Sequence, residues 1–314
     1  MTMASSSAPF EYKARKFAGA HARGICVGWD KLGQRIATGG ADSVACVWKV
    51  GAGGEAKQET KLKGHKAGGI HGCCWDPNNA NLLATASSDR SVRLWDVRSG
   101  TSVGKVSTSG KALRAAWRPR GDAIAIGDDK GQVSFVDVKT FQVSSELTRG
   151  AGAAGFCWDA AGDALLVANG TGHIEVFDYP ALGEPINEVK SHMGEAVCVA
   201  ADPTGQRFAT GGSDAIVSLW DAEAMCCERS FAKFDSTVTS LAFDSSGDCL
   251  AYASEDGCIA IVNVGTGGLV HEEVARQPAR GLAWSPRGRW LACVGLVGDA
   301  RDGREVLTIG HLSS

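Results

Sequence analysis

Short apolar runs separated by polar turns recur along the chain. Residues 82–87 form one apolar run, residues 88–90 a polar turn, and residues 91–95 a second run that ends in tryptophan. In the second run the side chains alternate between two faces with a period of two, which is typical of a β-strand. Similar aspartate-containing turns occur at residues 40–42, 212–214 and 255–257. The pattern predicts strands joined by tight turns rather than helices.

Aromatic residues mark a repeat of about 42 residues. The residue that closes a short apolar strand before a polar turn recurs at intervals of 46, 42, 41, 43, 42 and 41, at Trp29, Trp75, Trp117, Trp158, Ala201, Phe243 and Trp284. A second series closes the third strand of each unit, at Trp48, Trp95, Val136, Phe177, Trp220, Val262 and Ile309. Eight of the nine tryptophans fall on these two series. Seven units of four short strands predict an all-β fold, a single seven-bladed β-propeller.

The two ends of the chain are expected to meet in the last blade. Only five residues follow Ile309, too few for a fourth strand, whereas residues 10–17 form a spare strand-like segment before the first repeat. We therefore predict that the N-terminal segment completes the seventh blade and removes an open sheet edge. The domain prediction is a disordered N-terminus over residues 1–9 and one propeller over residues 10–314.

Composition and charge narrow the class of protein. The chain is 44% hydrophobic and has a net charge of −3, which is typical of a folded globular protein and excludes a strongly basic nucleic-acid binder. The 11 cysteines are odd in number and lie mostly in apolar runs, so we expect buried thiols in a reducing compartment. The sequence lacks the long apolar stretch of a membrane span and the apolar core of a signal peptide, which favours an intracellular protein without membrane contact.

Histidine, hydroxyl and aspartate side chains in the second unit invite comparison with a catalytic triad. The residues concerned are His65, Thr85, Ser87, Asp89 and Trp95, and an equivalent series recurs in the fifth unit as His192, Thr210, Asp214 and Trp220. A catalytic triad has no reason to recur in the same register. We therefore predict that both series form structural hydrogen-bond networks that support the tight turn of each blade.

Other motifs give no sign of catalysis. Cys73-Cys74, beside His71, and Cys226-Cys227 lack the spacing of a zinc site, and no phosphate-binding loop or nucleophile elbow occurs. We expect no enzymatic activity, no metal, no cofactor and no small-molecule substrate.

The loops that enter the first strands carry charged residues that are expected to share one rim of the ring. They are Arg23, Lys66, Lys111 and Arg280, with Asp235 as a further candidate for partner binding. One interpretation is a docking surface for an acidic protein or RNA. The alternative is a scatter of ordinary solvated charges, because acidic residues are intermixed.

The repeat units resemble the WD-repeat family over about residues 10–312. Within that family, residues 131–137, 177–182 (with the Tyr179-Pro180 step) and 208–267 are similar to the third subunits of the THO complex. The resemblance implies a nuclear, non-catalytic scaffold of the THO and transcription-export (TREX) assembly. Such a subunit would dock on the large helical THO subunits, associate with messenger RNA indirectly, and support messenger RNA processing and export. Two loops depart from the family, with Ser236-Thr237 in place of Trp-Pro and Leu296-Val297 in place of acidic residues.

Two other function classes stay open from the sequence. Residues 95–98, Trp-Asp-Val-Arg, resemble the box of substrate receptors in cullin-4 ubiquitin ligases, and the resemblance implies that Arg98 contacts the ligase's propeller adaptor. The alternative for Arg98 is an ion pair within the ring. Direct RNA binding by the propeller is the other class, and it predicts an affinity that falls steeply with salt.

Overall fold

Seven four-stranded antiparallel sheets follow one another along the chain in the computed structural model, which describes residues 11–18, 21, 23–66, 68–148, 155–274, 278–295 and 306–313. These residues contain no helix, and hence none long and apolar enough to cross a membrane. The prediction of an all-β, seven-bladed propeller is confirmed. The predictions for residues 1–9, Phe10 and Leu296-Val297 lie outside the described residues.

Each blade is a meander of four strands, counted from the centre of the ring outwards, and the strands are numbered in chain order. Blade one contains β2 (Gly24–Trp29), β3 (Arg35–Gly40), β4 (Val44–Val50) and β5 (Ala56–Lys63); blade two contains β6 (Ile70–Trp75), β7 (Leu82–Ser87), β8 (Ser91–Asp96) and β9 (Thr101–Ser107); blade three contains β10 (Ala112–Trp117), β11 (Ala123–Asp128), β12 (Gln132–Asp137) and β13 (Gln142–Thr148). Blade four contains β14 (Gly155–Trp158), β15 (Ala164–Ala168), β16 (His173–Asp178) and β17 (Asn187–Lys190); blade five contains β18 (Ala196–Ala201), β19 (Arg207–Gly212), β20 (Val217–Asp221) and β21 (Cys227–Phe231). Blade six contains β22 (Val238–Phe243), β23 (Cys249–Ser254), β24 (Cys258–Asn263) and β25 (Leu269–Val274); blade seven contains β26 (Ala279–Trp284), β27 (Trp290–Gly295), β28 (Val306–Ser313) and β1 (Glu11–Ala18).

In blade one, the turn between the first two strands depends on an aspartate and a glycine. In blade one, Asp30 Oδ1 accepts the amides of Gln34 (2.8 Å) and Arg35 (3.0 Å). Gly33 in the same turn has φ = +62°, a conformation that costs glycine little because it lacks a Cβ. These contacts within the turn stabilise the reversal of the chain without any contribution from packing between blades.

The hydrophobic core of the described residues consists of seven clusters, and each lies between two neighbouring blades. The cluster between blades seven and one, for example, combines Trp29, Ile36 and Trp48 with Leu307 and Ile309. A blade therefore buries its apolar faces only by packing on both neighbours, and the ring must close for every face to be covered.

Tryptophans of the first series, which end the innermost strands, also connect neighbouring blades by hydrogen bonds. Trp29 Nε1 donates to the carbonyl of Ala283 in blade seven at 3.0 Å, and Trp75 Nε1 donates to that of Gly28 at 3.0 Å. The same contact joins Trp158 to Ala116 and Trp284 to Ala242, both at 3.1 Å. The aromatic repeat of the sequence thus marks the junctions between blades.

The first strand of the chain closes the ring, as predicted. Strand β1 pairs antiparallel with β28 over eight positions, from Glu11 opposite Ser313 to Ala18 opposite Val306. The ring of Tyr12 packs against Gly310, where an added Cβ would collide with the ring and hydroxyl atoms of the tyrosine. The pairing removes an open sheet edge and joins the two ends of the chain.

Candidate functional site

A chain of hydrogen-bonded side chains crosses blade two from its tight turn to its third strand. Asp89 Oδ2 lies 3.0 Å from His65 Nδ1, and His65 Nε2 lies 2.8 Å from Thr85 Oγ1. The indole Nε1 of Trp95 donates to the same Thr85 hydroxyl at 2.8 Å. Ser91 Oγ donates to the other oxygen of Asp89 at 2.6 Å. The structure thus brings His65, Asp89 and Trp95 together around the hydroxyl of Thr85.

Burial and hydrogen bonding set the protonation states in this network. Burial lowers the pKa of His65 below its ordinary value, although the hydrogen bond and charge of Asp89 act in the opposite direction. Burial acts to raise the pKa of Asp89, but hydrogen bonds from Ser91, the Lys66 amide and His65 together hold that pKa below its usual range. At neutral pH a neutral imidazole therefore donates its Nδ1–H to a carboxylate, and its Nε2 accepts the proton of the Thr85 hydroxyl.

Blade five contains the same arrangement. His192 Nδ1 lies 3.0 Å from Asp214 Oδ1, and His192 Nε2 lies 2.9 Å from Thr210 Oγ1. Trp220 Nε1 donates to Thr210 Oγ1 at 3.1 Å. Burial also lowers the pKa of His192, so this imidazole is neutral at pH 7 as well.

Blade one contains a third network that the sequence analysis missed. His21 lies 3.0 Å from Asp42 through Nδ1 and 2.9 Å from Thr38 through Nε2, and Trp48 Nε1 donates to Thr38 at 3.1 Å. A signal for it exists in the sequence. In all three blades the aspartate follows the threonine by four residues and the tryptophan follows it by ten, whereas the distance from histidine to threonine varies between 17 and 20.

Blade three replaces the network with a different carboxylate. Lys130 stands where the turn aspartate is expected, and Asp128 at the end of β11 takes over the contacts. Asp128 accepts the Ser109 hydroxyl at 2.7 Å and the Gly110 amide at 2.8 Å through one oxygen, and the Lys130 amide at 2.9 Å through the other. The turn and the neighbouring loop are therefore joined by a carboxylate in this blade too.

The geometry of the three histidine networks does not suit a nucleophile. The threonines at their centres, Thr38, Thr85 and Thr210, are 0% exposed, and each hydroxyl already holds two hydrogen bonds. A substrate has no access to these oxygens. What the networks do is join the loop that enters each blade to the turn between its second and third strands.

The candidate rim residues all lie on the face of the ring that carries these loops. Arg23, Lys66, Lys111 and Asp235 are in loops that lead from one blade into the innermost strand of the next, and Arg280 is the second residue of β26. All five are exposed. Arg280 lines the central cavity of this face, whereas the other four candidates do not. The Lys66 amide donates to Asp89 at 2.8 Å.

A cavity of about 440 Å³ occupies the mouth of the central channel on this face. Six of the inner strands carry a β-bulge after their first residue. Five of the extra residues line the cavity: Ile25, His71, Leu113, Thr239 and Arg280. A bulge re-aims the side chain of its extra residue, so the bulges turn a ring of side chains into the mouth. Arg114, next to one bulge, lines the same cavity.

Positive charge concentrates around this cavity. Burial lowers the pKa of His71, and the positive charges of Lys111, Arg23 and Arg280 lower it further. Of these three residues, Arg280 lines the cavity, whereas Arg23 and Lys111 lie outside its lining. Burial in the channel also lowers the pKa of Arg114. Of the five candidate rim residues, the cavity lining therefore includes one, Arg280.

Arg98 lies at the opposite end of blade two. Its guanidinium contacts Asp96 through Nη2 at 3.0 Å and through Nε at 3.3 Å, and its amide donates to the same carboxylate at 2.9 Å. These hydrogen bonds hold the pKa of Asp96 below its usual range. The Arg98 side chain is nevertheless 67% exposed, so it is presented to solvent from the turn that follows β8.

All 11 cysteines are thiols in this structure. Burial raises the pKa of Cys74 and of Cys157 to about 12, which keeps both protonated and unreactive. The described part of the chain holds no group of three or more His, Cys, Asp or Glu side chains suited to a metal ion.

Comparison with known families matches the repeat to the description "WD domain, G-beta repeat". Residues 13–49, 56–96, 183–221 and 225–263 match, which together make up about half of the chain. Each matched segment runs from the outermost strand of one blade to the third strand of the next, so the matches include the first three strands of blades one, two, five and six. In the units whose first three strands have no such match, the sequence has Lys130, Thr171 and Gly303 where the turn aspartate is expected.

Two curated proteins are similar to the chain over most of its length. THO complex subunit 3 of Arabidopsis thaliana is 35% identical over 295 residues, which cover 93% of each chain. The WD repeat-containing protein AAC3 of Dictyostelium discoideum is 30% identical over 261 residues, which cover 74% of this chain and 53% of AAC3.

Among solved structures, the fold resembles the β-propeller domain of Cps50 (Swd1) from Myceliophteria thermophila. The TM-score is 0.78, and the match covers 95% of this chain and 99% of that domain. Sequence identity is 19%, so this likeness concerns the propeller fold alone.

Proposed function

We infer the function of this chain from its family: it belongs to the WD-repeat proteins and, among them, to the family of THO complex subunit 3. From that premise we propose a non-catalytic scaffold subunit of the THO and transcription-export assembly in the nucleus. It would support messenger RNA processing and export by docking on the other THO subunits, and its association with messenger RNA would be indirect.

The observation that carries this proposal is the extent of the similarity. A match confined to WD repeats would support only a propeller, because many unrelated functions share this fold. The 35% identity to the Arabidopsis subunit extends instead over 93% of both chains, and so includes the blades that depart from the repeat pattern. The loops between blades are therefore included in the likeness along with the strands.

The geometry suits a docking role. A closed ring with clusters between all its blades holds its loops on a rigid support, and loops on rigid supports are where binding residues concentrate. The hydroxyls of the histidine networks are buried. We propose that Arg23, Lys66, Lys111, Asp235 and Arg280 belong to the surface that meets partners.

Affinity purification of the full chain from nuclear extract tests the proposal. The large helical THO subunits are expected to co-elute with it at a constant ratio that survives nuclease treatment, since the association is between proteins. Loss of the THO subunits after nuclease treatment, or their absence in repeated purifications, would contradict the proposal.

A second candidate function is a substrate receptor of a cullin-4 ubiquitin ligase. The exposed Arg98, held on Asp96 in the turn after β8, favours it. Blade three offers a matched control, because Lys139 occupies the equivalent turn and its amide donates to Asp137 at 2.9 Å just as the Arg98 amide does to Asp96.

The two functions differ in what Arg98→Ala does. Under the ligase function, Arg98→Ala abolishes co-purification of the ligase adaptor and Lys139→Ala does not. Under the scaffold function, both variants retain the THO subunits and no ligase adaptor is recovered with the unmodified chain.

A further inference from the structure

We propose that the face of the ring opposite the candidate rim residues binds an arginine side chain of a partner protein. The guanidinium would lie in a cavity at the ends of the innermost strands, against aromatic residues and the carboxylate of Asp30. This inference goes beyond the proposed docking function, because it concerns the other face of the ring and does not depend on which partners meet the rim.

A cavity of about 430 Å³ opens where the innermost strands end and turn into the second strands. Blades one, two, six and seven each contribute an aromatic residue to its lining: Trp29, Trp75, Phe243 and Trp284. The indole N–H groups of the three tryptophans already donate to carbonyl groups of neighbouring blades. Packing between blades therefore fixes these side chains, and they offer a ligand aromatic surface rather than hydrogen-bond donors.

Asp30 adds an unused hydrogen-bond acceptor to this lining. The residue lines the cavity and is 0% exposed. Its Oδ1 accepts the amides of Gln34 and Arg35, whereas its Oδ2 has no hydrogen-bond partner among the described residues. Buried polar atoms are normally paired, and the strongest partner of a carboxylate oxygen is a cation that donates an N–H. The site therefore favours a cationic ligand with N–H groups.

The other charges of the lining also favour a cation. Asp76 lines the cavity and is buried. Lys31 lines it too, but this residue is exposed, and its ammonium donates to the carbonyl of Asn78. Aromatic rings attract a cation through the negative potential of their faces. Two buried carboxylates and four aromatic residues thus face a ligand with the same preference.

The ring already holds one of its own guanidinium groups in such surroundings. Arg118 directly follows β10, just as Asp30 directly follows β2. Arg118 is buried, and its Cζ lies 4.7 Å from the ring centroid of Tyr179 and 5.9 Å from that of Trp158. Its Nη1 donates to Asp122 Oδ2 at 2.8 Å.

The cavity offers the same parts, and none of the described residues that line it is an arginine. A guanidinium supplied from outside would complete the arrangement. A guanidinium suits the site better than an ammonium, because it is planar, stacks on aromatic faces and carries less tightly held water.

An NMR titration of the purified full chain, labelled with ¹⁵N, tests the proposal through the indole N–H signals of its tryptophans. The probe is arginine capped by acetyl and methylamide groups, which resembles an arginine within a peptide chain. Capped citrulline is the neutral comparison, because its urea group has nearly the shape of a guanidinium without the charge. Capped lysine and free arginine are the two further ligands.

The variant Asp30→Asn removes the charge and keeps a carbonyl oxygen that can accept the turn amides. Asp159→Asn is the matched control, because Asp159 Oδ1 accepts the Ala164 amide at 2.9 Å in the equivalent turn of blade four and the residue does not line the cavity. Thermal melts establish that both variants are folded. The comparison of arginine with citrulline uses the unmodified chain, so it needs no variant.

The signals of Trp29, Trp75 and Trp284 are expected to shift saturably with capped arginine, whereas those of Trp95 and Trp220 in the histidine networks should not shift. Capped citrulline should bind at least about tenfold more weakly than capped arginine. Asp30→Asn should weaken arginine binding about threefold to tenfold, and Asp159→Asn should change it less than about twofold.

The proposal is overturned if the three cavity tryptophans show no shift, if citrulline or lysine binds as tightly as arginine, or if the two variants have equal effects. Tighter binding of free arginine than of capped arginine would overturn the assignment to a partner's side chain. These measurements use no THO subunit, so this inference and the proposed scaffold function can fail separately.

Discussion

Replacing Thr85 by valine removes the hydroxyl at the centre of the blade-two network and leaves its shape nearly unchanged. Thr85 is 0% exposed, and its Oγ1 lies 2.8 Å both from Trp95 Nε1 and from His65 Nε2. In Thr85→Val, the indole N–H and the imidazole nitrogen each lose a partner in a buried place. Since an unpaired buried polar group costs about 1–3 kcal/mol, the expected loss for the two groups is about 3 kcal/mol.

Thr85→Ser is the matched control. It keeps the hydroxyl and removes one buried methyl group, for an expected loss of about 1 kcal/mol. The entropy of unfolding is about 2 cal/mol/K per residue near the melting temperature. For a chain of this length a loss of about 3 kcal/mol lowers the melting temperature by about 4–5 °C, and the serine variant should lose about a third as much.

Scanning calorimetry of the three proteins at pH 7 measures these differences. The equivalent substitutions Thr38→Val and Thr210→Val provide two internal repeats, because the same hydrogen bonds occur in blades one and five. If Thr85→Val has the same melting temperature as the unmodified protein or as Thr85→Ser, the hydroxyl does not stabilise the blade. The structural interpretation of these networks is then wrong.

Further tests concern ring closure, pH and the contacts between blades. Deletion of residues 1–18 should lower the melting temperature by many degrees, and Gly310→Ala should lower it as well because a Cβ there collides with the ring packed over it; an unchanged melt would refute closure by β1. Burial lowers the pKa of His192, so below about pH 6.5 the unfolded chain binds more protons than the folded chain. The free energy of unfolding measured in urea should therefore decrease as the pH is lowered below about 6.5, and the decrease should be smaller in His192→Gln. Trp284→Phe should cost about 1 kcal/mol more than Trp117→Phe in urea denaturation, because Trp284 Nε1 holds a hydrogen bond and Trp117 Nε1 has no acceptor among the described residues; equal losses would show that these interblade hydrogen bonds do not matter.

The histidine networks show which contacts a local sequence pattern can predict and which it cannot. The distance from threonine to aspartate and to tryptophan is constant because these residues lie on one hairpin, β7–β8 in blade two, whose register the turn sets. The distance from histidine to threonine varies because the histidine arrives on a loop of variable length. His21 escaped the sequence analysis for that reason, although its partners Thr38 and Asp42 stand at the regular spacing.

Blade three contains a contact between carboxylate and loop that the sequence pattern does not predict. Lys130 in the sequence indicates a lost contact, since the expected turn aspartate is missing. The structure restores the contact with Asp128, two residues earlier on β11, because its carboxylate reaches Ser109 and the Gly110 amide. The neighbouring Asp129 accepts the Lys111 amide of the same loop at 2.7 Å. Whether a carboxylate reaches a loop depends on how that loop is placed in three dimensions, and strand alternation does not determine this.

The sequence by itself determined the strands, the number of blades and the strand that closes the ring. Period-two alternation, turn chemistry and the spacing of tryptophans act within one unit of about 42 residues, so a single blade already contains the information for its own shape. Only the tertiary structure decided which charges meet at the channel. Arg114 and Arg280 are 166 residues apart in the chain, and both line one cavity because ring closure and the bulges of the inner strands bring them there.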